Sequence, residues 1–211
     1  MAGALCRSRP LHYNKTLRSV VTAREVPASG ELRVAAGAIV TPSARDLAAE
    51  RGVKIVEGAA AERTVALGAD HGGFQMKEIL KPILVELGFE DCDCGVEEET
   101  PADYPDIALK VAELVAGGTA ARGVIVDALG IGSAMAANKV PGIRAAMCYD
   151  KNTARSSREH NDSNVLTLGG RLLTPTLGEE VLRIWLATPY GGGRHAARLR
   201  KITEIEKRYA K

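Results

Sequence analysis

The chain has 211 residues, 45% of them hydrophobic and 26% charged, which fits one α/β domain with a small appendage and excludes a disordered polypeptide. A formal net charge of +2 is too small to point to nucleic acid or an anionic membrane as partner. No apolar run approaches the ~18 residues of a membrane span.

In chain order, residues 1–24 carry Arg7, Arg9, Lys15, Arg18 and Arg24, and the first acidic residue is Glu25. A basic, acid-poor leader is either a targeting or docking peptide or an ordinary tail, and composition does not choose between them. Residues 25–62 then make a small extension, in which "GELRVAAGAIVTPSARDLAAERGVKIVEG" reads as strand, helix, strand. Thr41 before Pro42 is an N-cap with proline at the first helical position, and Gly52 supplies the stop. So short a unit buries little surface by itself.

From residue 63 onward strands and helices alternate. Apolar strands lie at "TVALG", "FEDCDC", "GVIVD", "IRAAMCY" and "NVLTLGG", with helices expected at about 75–87, 105–117, 132–139, 151–160 and 176–187. A last helix, roughly 194–210, is rich in Arg, Lys and Glu and suits an extension or subunit arm. This alternation predicts a doubly wound, Rossmann-like, parallel five-stranded sheet with helices on both faces.

Ligands of such sheets bind beyond the carboxyl ends of the strands. The expectation gathers "GADHGGF", "DALGIG", "REHND" and "GGR" at that edge. Neither a dinucleotide fingerprint nor a P-loop is present. "ALGIGS" before a helix offers backbone N–H groups to a phosphate or an oxyanion, or is simply a tight turn. His71, His160 and His195 fall in the motif segments, and Arg171, Arg194 and Arg198 lie near them. Arg194 and Arg198 are four apart and share a helix face, which suits either a phosphate clamp or a solvated basic surface. Cys6, Cys92, Cys94 and Cys148 form no CxxC pair and lack histidines at ligand spacing. No metal site is expected, and the thiols read as small reduced core residues of a cytoplasmic protein.

The segments "ALGADHGGFQMKEIL", "DYPDIALKVAELVAGG", "GIGSAMAANKVPGIRAAMCYDKNTARSSREHNDSNVLTLGGR" and "GGGRHAARLRKITEIE" occur in this order over about two-thirds of the chain. They resemble ribose-5-phosphate isomerase B and its galactose-6-phosphate isomerase relatives. The resemblance implies an aldose–ketose isomerase that needs no metal or organic cofactor. A base removes the C2 proton, an enediolate forms, and a proton returns at C1. It implies a homodimer or homotetramer with active sites across a subunit interface. Asp70 and His71 then contact the sugar and its phosphate, and Tyr104 lies against the substrate. His160 assists ring opening from the neighbouring subunit, and Asn161 binds a hydroxyl. Arg171, Arg194 and Arg198 hold the phosphate together with His71. Gly130, Gly132 and Ser133 continue the anion-binding turn, which leads into Asn138 and Lys139.

The departure from the family falls in "RGVIVDALGIGSAMAANK". Family members carry Cys-Gly-Thr-Gly-x-Gly there, with the cysteine as base. Here Asp127 stands in the cysteine position, Ala128 in the first glycine's and Leu129 in the threonine's. Some actinobacterial members use a glutamate where Ser133 stands. Three readings follow: Asp127 is the catalytic base; the activity has moved to another phosphosugar, such as an acyclic or deoxy one; or Asp127 is a strand-end cap in a phosphosugar-binding protein that no longer isomerises. The first two together are favoured, because the other substrate residues are intact. "AGAIVTPSARDLAAERGVKI" is similar, over some twenty residues, to a segment of bacterial microcompartment proteins. That resemblance implies a shell protein as a further partner and a location inside such a compartment; the rival reading is a small domain that simply extends the oligomer interface.

Overall fold

The computed structural model describes residues 20–23, 26–34, 39–57 and 63–209. The five basic residues of the leader and Cys6 lie outside them. In the N-terminal unit, β1 (Val20–Val21) pairs in parallel with β3 (Ile39–Val40), and β2 (Glu31–Val34) pairs in parallel with β4 (Lys54–Glu57). Helix α1 (Pro42–Glu50) joins β3 to β4. Thr41 caps it: Oγ1 accepts the Ala44 N–H at 3.4 Å and donates to the Val21 carbonyl at 3.1 Å, tying the helix start to β1. The unit has its own apolar cluster, built on Val26, Leu32, Val34, Val40, Ala44, Ala48 and Val53. The expected strand–helix–strand thus gains two short strands, because β1 pairs beside β3.

The rest is the predicted alternation: β5 (Thr64–Ala69), α2 (Phe74–Glu86), β6 (Glu90–Asp93), α3 (Tyr104–Ala116), β7 (Arg122–Asp127), α4 (Ile131–Ala137), β8 (Ala145–Met147), α5 (Lys151–Asn161), β9 (Val165–Gly169), α6 (Pro175–Ala187) and α7 (Arg194–Tyr209). The five strands are all parallel in the order β6-β5-β7-β9-β8, so β7 is central. Alternate residues of β7 serve opposite layers. Val124 and Val126 pack with Leu80 and Leu84 of α2 and Val181, Leu182 and Trp185 of α6. Ile125 packs with Ala108, Val111 and Ala112 of α3 and Ala137 of α4. Each fully buried Leu, Ile or Val contributes about 1.5–3 kcal/mol, so these two layers carry the stability of the body.

Two buried cations sit at the rims of this core. Lys77 on α2 donates to Asp93 Oδ2 at 2.6 Å and to the Val96 carbonyl at 2.8 Å, fixing the start of the loop that leads to Tyr104. Arg158 on α5 donates to Asp162 and to the Ser163 carbonyl, beside the Trp185 ring. Helix α7 buries none of its residues and exposes Ile202, Ile205 and Tyr209. Cys94 and Cys148 are free thiols. Among the described residues no helix is long and apolar enough to cross a membrane.

Candidate active site

Three strand-end loops meet at the carboxyl edge of the sheet. Asp70, just after β5, is buried, and its Oδ1 accepts the N–H groups of Gly72 and Gly73 at 2.8 and 3.0 Å. A carboxylate capping the turn that follows it is the usual Asx arrangement. The loop after β9 is zipped onto the loop after β7: Gly170 N–H donates to the Asp127 carbonyl at 2.7 Å and Arg171 N–H to the Ala128 carbonyl at 3.1 Å. Gly170 also abuts the first loop, since a Cβ there would stand 2.7 Å from the Gly72 carbonyl oxygen. His71, Asp127 and Arg171 are thereby brought to one place, with the His71 and Arg171 side chains exposed.

Asp127 itself is 5% exposed. Its Oδ1 accepts the N–H of Leu129 at 2.8 Å and the N–H of Gly130. Its Oδ2 accepts both the N–H and the hydroxyl of Ser133, at 2.9 and 2.5 Å. Two donors on each oxygen take up the four lone-pair sites of the carboxylate. The turn is held from below by Thr167, whose hydroxyl donates to the Gly130 carbonyl at 2.8 Å. Gly130 has φ 82°, the left-handed region that favours glycine. Gly132 has the Tyr104 ring against it, where a Cβ would come within 2.6 Å. Tyr104, Gly130, Gly132 and Ser133 therefore surround Asp127, but Ser133 is fully buried and turned to the carboxylate.

Two thiols also reach this edge. Burial, then the charge of Asp93, pushes Cys94 up to about 12. Burial likewise raises Cys148, against hydrogen bonds with Ser157 and Thr153 that lower it. Both are protonated at neutral pH, so neither stands in for the missing cysteine base.

The remaining residues lie elsewhere. Asn138, at the far end of α4 and about 10 Å down the helix from the turn, donates Nδ2–H to the Ala145 carbonyl and accepts the Ala145 N–H at Oδ1, at 2.9 and 2.8 Å. His160 and Asn161 close α5, which runs back to the amino edge before β9 begins. That corrects the expectation that "REHND" shares the edge of Asp127; a strand length, roughly 15 Å, separates the two. At this second place the His160 ring stacks on His195 with centroids 4.3 Å apart, and Ser156 Oγ lies 3.1 Å from His160 Nδ1. Desolvation, then the charges of His160, Arg194 and Arg198, lowers His195 below the ordinary histidine value. Arg194 and Arg198 are exposed on the first turns of α7 beside it. Sequence reasoning missed the supports Thr167 and Lys77; a lone hydroxyl inside the apolar run "NVLTLGG" is the signal that points to the first. Among the described residues no group of three or more His, Cys, Asp or Glu could hold a metal ion.

The chain matches the model of the family described as Ribose/Galactose Isomerase over residues 65–202. It is 42% identical over 146 residues to ribose-5-phosphate isomerase B of Escherichia coli, covering 69% of this chain and 98% of that one. It is 35% identical over 145 residues to D-erythrulose-4-phosphate isomerase of Pectobacterium atrosepticum, covering 68% and 95%. Among solved structures, ribose-5-phosphate isomerase B of Clostridium thermocellum superposes with a TM-score of 0.69 at 46% identity, covering 70% of this chain and 99% of the other.

Proposed function

The chain belongs to the ribose/galactose isomerase family, and from that premise we propose that it is an aldose–ketose isomerase of a small phosphosugar with Asp127 as its base. The substrate is ribose 5-phosphate, ribulose 5-phosphate or a related phosphosugar. The observation that carries this reading is the buried Asp127 carboxylate at the end of the central strand, where the other relatives of the family carry their base. Carboxylates abstract protons alpha to carbonyls when held in reach of them. Asp127 takes the C2 proton of the open-chain aldose; the C–H electron pair becomes the C1–C2 double bond and the carbonyl oxygen becomes an oxyanion. Returning the proton to C1, with a hydroxyl proton passing from O2 to O1, completes the exchange without net oxidation. The N–H groups of Ile131 and Gly132 open α4 and have no intrahelical acceptor, which suits them to the enediolate oxygen. His71 and Arg171 serve the phosphate, and Tyr104 flanks the sugar.

His160, Asn161, Arg194 and Arg198 sit at the opposite edge, so a second copy supplies them, as in a homodimer or homotetramer. Exposed Leu129 replaces a hydroxyl-bearing residue of the family and favours a substrate that needs no ring opening. The small N-terminal unit with its basic leader is read as a docking element for a microcompartment shell protein; deleting residues 1–60 then abolishes co-localisation with the shell while oligomer mass per copy is otherwise kept.

A second reading draws on the four hydrogen bonds already made to Asp127: the carboxylate fills the turn, and the protein binds phosphosugars without turnover. Deuterium uptake from heavy water at C1 or C2 of pentose and tetrose phosphates separates the two. Exchange by the wild type and none by Asp127→Asn is the expected result. Wild-type levels in that variant would remove Asp127 from the chemistry, and no exchange by the wild type would leave the binding reading.

A further inference from the structure

If Asp127 is the base, one of its oxygens has to give up a hydrogen bond before it can take a proton, and only one of the four donors is free to leave. The N–H groups of Leu129, Gly130 and Ser133 belong to a backbone turn that Thr167 pins through the Gly130 carbonyl. The Ser133 hydroxyl is a rotor on a single side-chain bond. It lies 2.5 Å from Oδ2, and Ser133 is fully buried, which leaves it no route to a substrate of its own. It also has somewhere to go: a serine in a helix turns its hydroxyl to a carbonyl three or four residues back, here that of Leu129, since the Gly130 carbonyl already accepts from Thr167 and Ala134.

We propose that Ser133 is the positioning residue of Asp127. At rest its hydroxyl donates to Oδ2 and holds the carboxylate aligned; it swings to the backbone when Oδ2 accepts the substrate proton. This rests on Asp127 being the base. It replaces a direct substrate contact by Ser133 with an indirect role, through the carboxylate alone. All four hydrogen bonds to Asp127 come from its own turn, while the charged and titratable side chains on the neighbouring loops are Asp70, His71 and Arg171.

The test is Ser133→Ala, assayed across a range of pH as deuterium exchange into whichever pentose or tetrose phosphate the wild type exchanges fastest; a wild type that exchanges none overturns the proposal together with the base assignment. Losing a hydrogen bond to the ionised form makes the carboxylate more basic, so the acid limb of the kcat profile moves up by about one pH unit. KM stays within about twofold, and Ser133→Cys, a near-isosteric but weaker donor, falls between alanine and wild type. An unmoved acid limb with unchanged kcat, or a rise in KM alone, overturns the proposal. Asp127→Asn is run beside it. If that variant still exchanges, the base assignment fails and the role of Ser133 fails with it; if it is dead while Ser133→Ala keeps the wild-type profile, only the role of Ser133 fails.

Discussion

Lys77 and Asp93 form a pair whose members are not equally costly to remove. The Lys77 side chain is 1% exposed and that of Asp93 21%. In Asp93→Asn the ammonium stays inside the protein with the Val96 carbonyl at 2.8 Å and Glu78 at 3.0 Å. Removing one partner of a buried pair costs about 3–5 kcal/mol, and the help of Glu78 places this case near ~3. Lys77→Met keeps the stem and takes away the buried charge, while Asp93 keeps Lys81 at 2.8 Å and the Gly95 N–H at 3.0 Å. The loss is then the donor to Val96 and one charged hydrogen bond, about 1–2 kcal/mol after the ammonium's desolvation is also removed. Urea unfolding followed by fluorescence of Trp185, the single tryptophan and fully buried, measures both variants. Burial raises the Asp93 carboxyl, but hydrogen bonds from Lys77 and Lys81 outweigh it and hold the group below its ordinary value. Its contribution is therefore complete above the unfolded value of ~3.9 and fades as pH falls through the lower, folded one. The deficit of Asp93→Asn is full at pH 7 and closes only in stronger acid. A Lys77→Met variant less stable than Asp93→Asn, or a deficit already gone at pH 5, refutes the reasoning.

Gly132→Ala drives a Cβ into the Tyr104 ring, which is exposed and swings outward, so thermal stability barely changes while kcat/KM falls at least about tenfold. Equal loss of stability and activity counts against that mechanism. Gly170→Ala meets backbone atoms, the Gly72 oxygen at 2.7 Å and Gly73 Cα at 3.0 Å, which have no rotamer to move, so it destabilises by about 1–3 kcal/mol in urea; a neutral result shows that the loops part freely. Thr167→Val removes the hydroxyl under Gly130 and costs about 1–2 kcal/mol, with faster amide exchange at Leu129 and Gly130. Unchanged exchange at those two amides means that the turn holds itself.

The sheet and its helices were legible because the apolar strands are separated by clear punctuation. The helices expected at 75–87, 105–117 and 151–160 occur as Phe74–Glu86, Tyr104–Ala116 and Lys151–Asn161. The strand-end position of Asp127 was equally readable, as the last residue of an apolar run. Its hydrogen bonds were not, since they depend on how the turn folds back to bring Ser133, six residues on, against the same oxygen. The placement of His160 failed for a different reason: a motif at the end of a helix lies one element beyond the strand end, and each helix reverses the direction of the chain. Asn138 was implicated only by the family resemblance, and both ends of its amide complete the backbone of Ala145 at the start of β8.

The separate apolar cluster of the N-terminal unit has a spectroscopic consequence. Residues 20–57 contain no Phe, Tyr or Trp, whereas Trp185 and the tyrosines at 104, 149, 190 and 209 all belong to the body. Trp185 fluorescence therefore registers only the body, and a melting curve taken that way is blind to whether the unit is open or closed. Its folding is written in methyl groups, those of Val26, Leu32, Val34, Val40 and Val53, and methyl resonances or amide exchange are the signals that will report it.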